Sequence, residues 1–96
     1  MDRLGFWNGN KIVGQLDMPG DLTDEVETWG AAVVTFDGSD FRTYHLDKIV
    51  GQWEETPAPG SGDVYDSFAD AFGVISRWVR KRWTRLEREA REIDAP

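Results

Sequence analysis

In the first half of the chain apolar residues alternate over short stretches; in the second half they recur with a helical period. Phe6-Trp7 and Ile12-Leu16 flank Asn8-Gly9. Asn-Gly between two apolar runs marks a two-residue hairpin turn, because both central residues of that turn need positive φ. Residues 4–16 therefore predict a hairpin, and Met18-Pro19-Gly20 ends it, since proline has no ladder donor. Residues 21–27 are acidic and polar and predict a loop or a single helical turn. Trp29 opens the apolar run Gly30–Phe36, which reads as a buried strand, and Asp37-Gly38-Ser39-Asp40 reads as a turn. Phe41, Thr43 and His45 alternate with Arg42, Tyr44 and Leu46, a strand with two different faces. Ile49–Trp53 predicts one more short strand. This density of short strands suits a small barrel or a compact curled sheet.

The pentamer Lys-Ile-Val-Gly-Gln occurs twice, at residues 11–15 and 48–52. The flanks differ, with GFWNGN before the first copy and RTYHLD before the second, which argues against a duplicated unit. Both copies read as barrel strands with the same local needs: Ile and Val favour the pleat, and Gly14 and Gly51 permit a bend or bulge.

Thr56-Pro57-Ala58-Pro59-Gly60-Ser61-Gly62 has the composition of a linker, and Asp63 reads as the cap of a following helix. Tyr65, Phe72, Val79, Leu86 and Ile93 recur every seven residues, with Phe68 and Ile75 filling the three-four spacing. The expected organisation is one domain: a barrel over 1–56, a Pro/Gly linker over 57–63 and a helix over 64–94. From Val64 to about Glu92 such a helix, about 43 Å long at 1.5 Å per residue, outruns a barrel this small. Its second half must pack elsewhere, break at Gly73, or meet a second chain.

Charge changes the picture. Residues 1–76 carry four Lys or Arg against fourteen Asp or Glu, a net of −10, and residues 77–96 carry seven against four, a net of +3. An acidic body thus precedes a basic helix. Arg77, Arg80, Lys81, Arg85, Arg88 and Arg91 fall largely opposite the apolar stripe, with Glu87, Glu89 and Glu92 between them. They form either a solvated, salt-bridged face or a surface for phosphates. Trp83 flanks the stripe and Trp78 lies about 90° from its centre. With Val79 and Leu86 they make an apolar face that serves either the core or a partner or dimer interface.

The 96 residues include no cysteine, which excludes disulfides and thiolate chemistry. The first residues are charged and turn-like, unlike a secretory leader, and no apolar run approaches the roughly 20 residues that span a bilayer. A cytoplasmic protein with no membrane association is expected. His45 is the one histidine, so neither a zinc set nor a Ser-His-Asp triad is predicted. The acidic residues Asp17, Asp21, Asp24, Glu25 and Glu27 lack the spacing of a calcium loop. No phosphate-cradling glycine motif occurs, no cofactor is expected, and an enzyme is not.

The stretch WGAAVVTFDGSDFRTYHLDKI resembles the core of WYL domains, Sm-like small β-barrels of bacterial transcriptional regulators and defence-system accessory proteins. Trp29 matches the opening Trp of the name motif, and Arg42-Thr43-Tyr44-His45-Leu46-Asp47-Lys48-Ile49 matches the family's Arg-Thr-Phe-Arg-Leu-Asp-Arg-Ile. Pro19 stands where the family often closes a strand, and VYDSFADAFGV resembles the short helix that follows its barrel, so the likeness covers roughly residues 4–74. The departures are Gly30 and Ala31 for the Tyr and Leu of the name motif, His45 for an Arg, and Lys48 for another, which loses the bidentate fork. The family's winged helix is not found.

The resemblance implies an anionic ligand or nucleic-acid strand held by Arg42, Tyr44, His45, Lys48 and Trp29. The expectation is thus an α+β fold, a five-stranded Sm/SH3-like barrel followed by a long C-terminal amphipathic helix. Its expected role is a non-enzymatic regulatory module that binds an anionic ligand or single-stranded nucleic acid and forms a homodimer through the helix. The competing expectation is a protein-interaction module, such as a phage-type inhibitor of a host defence or nucleic-acid enzyme, acting on its protein partner through the acidic body.

Overall fold

A computed structural model describes residues 4–19, 29–49 and 51–94, all but Trp29, Ile49, Ile93 and Asp94 with their side chains. Asn8 and Gly9, at φ of 51° and 80°, turn the chain between β1 (Phe6–Trp7) and β2 (Asn10–Pro19) as their sequence requires. β3 (Trp29–Phe36), β4 (Phe41–Ile49) and β5 (Gln52–Glu55) continue the antiparallel order β1-β2-β3-β4-β5, and β6 (Val64–Tyr65) pairs with β4 beside β5. The last element is α1 (Phe68–Asp94). The fold is α+β: a curled antiparallel half-barrel followed by one long helix.

Two apolar layers cover the two faces of the sheet. Met18, Ala32 and Val34 meet Ala71 and Ile75 of α1, with Leu16, Phe41, Phe72, Trp78 and Val79 around them. On the other face Ala31, Val33, Tyr44 and Leu46 gather Leu4, Trp7, Ile12 and Trp53. β3 lies between the layers, and Ala31 to Val34 are fully buried. A strand buried on both faces reads as a continuous apolar run rather than an alternation, which is why residues 30–36 show no period of two.

The two copies of the pentamer have different backbones. The first lies wholly inside β2, and the register shift between Ile12 and Gly14 makes it the expected bulge. A Cβ at Gly14 would stand 3.1 Å from the Phe68 ring, so the missing side chain lets α1 approach. The second copy corrects the sequence reading. Lys48 and Ile49 end β4, Gly51 sits at φ 80° in a turn, and Gln52, paired with Ile49, begins β5. Five identical letters give a bulge in one place and a hairpin turn in the other, because the pairing partners differ.

The Pro/Gly segment is not a free linker. The Gly62 amide donates to the Thr43 carbonyl at 2.6 Å, and the Thr43 amide donates to the Asp63 carbonyl at 3.3 Å. The Thr56 amide donates to the His45 carbonyl at 2.8 Å. Ser61 Oγ accepts from the His45 amide at 3.2 Å, and Thr43 Oγ1 donates to the Gly60 carbonyl at 2.9 Å. Between β5 and β6, residues 56–63 therefore cover the edge of β4 whose backbone groups would otherwise be orphaned. Val64 and Tyr65 belong to β6, so the helix starts later than the pattern implied. Its cap is Ser67, whose Oγ accepts from the Asp70 amide at 3.1 Å, and not Asp63.

α1 continues without interruption through Gly73, and its 27 residues span about 40 Å. The molecule is accordingly elongated, with extents of 53 × 27 × 21 Å. Its second half still packs within the chain: Leu86 is 6% exposed, and Arg82 Nη1 donates to the Pro19 carbonyl at 2.9 Å.

Candidate anion-binding site on the helix

β4 divides the residues that the resemblance groups together. Alternation turns Phe41, Thr43, His45 and Asp47 toward α1, and Arg42, Tyr44, Leu46 and Lys48 toward the opposite face. Tyr44 is 7% exposed in the second apolar layer, so it is a core residue. Arg42 is half-buried, with Nη1 donating to the Gly62 carbonyl at 3.3 Å. Lys48 is half-buried opposite Trp53. The side chain of Trp29 and the acidic residues Asp21, Asp24, Glu25 and Glu27 lie outside the described residues. The set Arg42, Tyr44, His45 and Lys48 is thus not brought to one surface: His45 faces away from the other three.

What His45 faces is more informative. Its ring meets Trp78 edge-on, with centroids 5.7 Å apart. Its Nδ1 is buried without a hydrogen-bond partner among the described residues, 4.0 Å from Asp47 Oδ2. Asp47 in turn accepts the Thr56 hydroxyl and pairs with Arg82, whose Nη2 is 3.7 Å from Oδ1. The segment 56–59, Trp78, Lys81, Arg82, Arg85 and His45 line an open cleft of about 380 Å³ between α1 and the β4 edge cover.

The cleft adjoins a second depression. Arg77, Arg80, Lys81, Thr84, Arg85 and Arg88 line a groove of about 440 Å³ along the outer side of α1. Lys81 and Arg85 belong to both. Of the five cations in the groove, Arg85 pairs with Glu89 at 3.6 Å. No ion pair joins Arg77, Arg80, Lys81 or Arg88 to a carboxylate among the described residues. Of the two readings of this face, the salt-bridged one is carried only by Arg85 among the described residues.

The four residues read as an interface separate as well. Trp78 and Val79 pack on the first apolar layer and Leu86 is buried, whereas Trp83 is 53% exposed. Arg82 and the cleft wall at 56–59 were missed by sequence reasoning. Arg82 did carry a signal: it stands three residues after Val79 and four before Leu86, inside the apolar stripe, where a cation needs a partner. The wall carried none, since its contacts with β4 are all non-local.

Burial holds the His45 pKa below its ordinary value of 6.5; Asp47 opposes this, and Arg82 and Arg85 reinforce it. A histidine with a depressed folded pKa binds fewer protons folded than unfolded. Its neutral form therefore contributes stability that is fully present above pH 6.5 and is lost as pH falls through the folded value. Thermal melts are expected to show a fall in stability just below pH 6.5 in the wild type and a weaker one in His45→Gln. Identical pH profiles would show that His45 is not the group titrating.

Among the described residues no group of three or more His, Cys, Asp or Glu could hold a metal ion, and no helix is long and apolar enough to cross a membrane. Ser61 reaches the backbone of His45 and not its ring. No family model, no curated protein and no solved structure matches this chain.

Proposed function

We propose that this chain is a non-enzymatic binding module for a nucleic-acid strand, held through its phosphates by the outer face of α1. The observation behind this reading is the groove in which Arg77, Arg80, Lys81 and Arg88 stand without carboxylate partners among the described residues. Unpaired cations on successive helical turns keep a strong local field even in a chain of net charge −7, because a bound polyanion responds to the charges nearest it. The reading keeps the anionic ligand that the likeness to WYL domains implies and moves its contact surface from β4 to α1.

Fluorescence anisotropy with a labelled single-stranded oligonucleotide tests this at several salt concentrations. The variant Arg77→Gln/Arg80→Gln/Lys81→Gln/Arg88→Gln keeps helix-forming residues while removing the charge. Each lost contact is expected to flatten the plot of log affinity against log salt by about 0.7, roughly 3 in total. Arg42→Ala with Lys48→Ala is expected to leave that slope close to the wild-type value. A wild type that binds no strand at low salt, or a slope that changes with Arg42 and Lys48 instead, would overturn the assignment.

A further inference from the structure

The cleft beside the groove differs from it in shape and chemistry. The groove is lined by α1 alone, whereas the cleft has residues 56–59 as a second side and His45 of β4 in its lining. The wall is already fastened: Thr56 is tied to the His45 carbonyl and Ser61 to the His45 amide. On the helical wheel Lys81 and Arg85 lie between the groove residues Arg77 and Arg88 and the cleft residues Trp78 and Arg82. They line both depressions. A phosphate inside a strand continues in two directions and stays in the open groove. A group at the end of a strand continues in one and can turn in.

We propose that the cleft holds a terminal phosphate monoester, the end of a ligand whose internal diesters lie in the groove, and that His45 takes up a proton as that group enters. The inference rests on the reading of α1 as an anion-binding face. A diester carries one negative charge; a monoester carries about 1.5 to 2 at pH 7 and offers three acceptor oxygens. Lys81 has no ion-pair partner among the described residues, while Arg82 balances Asp47 and Arg85 pairs with Glu89.

The charged groups facing the imidazole are Asp47 on its own strand and Arg82 and Arg85 from α1. From the cover segment, Ser61 links the His45 amide to the Glu55 carboxylate. In the free protein burial lowers the His45 pKa, Asp47 opposes this and the two arginines reinforce it, and Nδ1 has no hydrogen-bond partner among the described residues. A dianion beside Lys81 and Arg85 offsets the arginines and favours the imidazolium, whose two N–H groups both donate. The proton comes from solvent, so binding is accompanied by proton uptake.

Since His45 is the single histidine, its imidazole proton signal in the NMR spectrum of untagged protein is unambiguous. The test compares one single-stranded decanucleotide carrying a 5′-phosphate, a 3′-phosphate or hydroxyls at both ends. Inorganic sulfate serves as a small dianion that does not titrate. One phosphorylated end is expected to bind about tenfold tighter than the hydroxyl-ended strand, as a charge-assisted contact provides. That end and sulfate should both raise the His45 pKa, and the hydroxyl-ended strand should not. His45→Gln is expected to bring the phosphorylated and unphosphorylated strands to similar affinity.

Equal binding of all three strands with an unmoved imidazole signal overturns the inference and leaves the groove reading standing. If no strand binds at low salt, the groove reading fails. The cleft is then judged on sulfate alone: a raised His45 pKa supports a dianion site, and an unmoved one overturns it.

Discussion

Replacing Val79 and Leu86 together by glutamate is expected to unfold the chain. Read from the sequence, these residues are the centre of an apolar stripe that could dimerise, and the double substitution would release a folded monomer. The structure packs both within the chain: Val79 is half-buried against the layer of Met18, Ala32, Val34, Ala71 and Ile75, and Leu86 is 6% exposed. A carboxylate forced into either position finds no cation fixed to receive it, and the nearby Arg82 is committed to Asp47 and the Pro19 carbonyl. An unpartnered buried charge at Leu86 costs several kcal/mol, and a second at half-buried Val79 adds to it, against a total stability of about 5–15 kcal/mol for a domain. Far-UV circular dichroism should lose the helical signal, and size exclusion should show an expanded chain. A folded, compact double variant would mean that the second half of α1 does not pack within its own chain.

Ile75→Ala is expected to be the most damaging single truncation on the helix. Ile75 is fully buried and stands where α1 crosses the sheet between Ala71 and Val79. Such a truncation removes buried methyl groups and leaves a cavity, a loss of about 2–5 kcal/mol. For a domain of this length that lowers the melting temperature by roughly 15 °C. Trp83→Ala is the informative contrast, because a larger side chain is lost from a 53% exposed position. Its effect on stability should stay within about 0.5 kcal/mol. Melting curves of the two variants check the pair. A Trp83→Ala loss as large as that of Ile75→Ala would show that Trp83 is covered in solution, as an interface between copies would require.

Much of the fold is legible in the chain because it is set locally. Asn8-Gly9 dictates its own turn, and the apolar run of β3 declares burial on both faces. The seven-residue recurrence from Phe72 to Ile93 announces a helix. The errors share one cause. Val64 and Tyr65 read as helix because Tyr65 keeps the apolar spacing, yet both pair with β4 across more than twenty residues. Thr56–Gly62 reads as a linker because proline and glycine dominate it, although its amides and hydroxyls satisfy the free edge of β4. The candidate site follows the same division. The cations of the groove are visible as a helical pattern, but whether Glu87, Glu89 and Glu92 neutralise them depends on side-chain geometry.

By itself the sequence determined β1 to β4 and the body of α1, their order, the turns at Asn8-Gly9 and Asp37–Asp40 and the two faces of α1, since periodicity and turn chemistry act over a few residues. Tertiary structure alone decided which face of β4 meets the helix, and so separated His45 from Arg42, Tyr44 and Lys48. It also decided that residues 56–63 cover an edge, that Arg82 joins Asp47 and Pro19, and that one pentamer bulges while its copy turns. Alternation establishes that a strand has two sides, but the element that covers each side comes from distant parts of the chain. The free energy of burying it there exceeds any local preference.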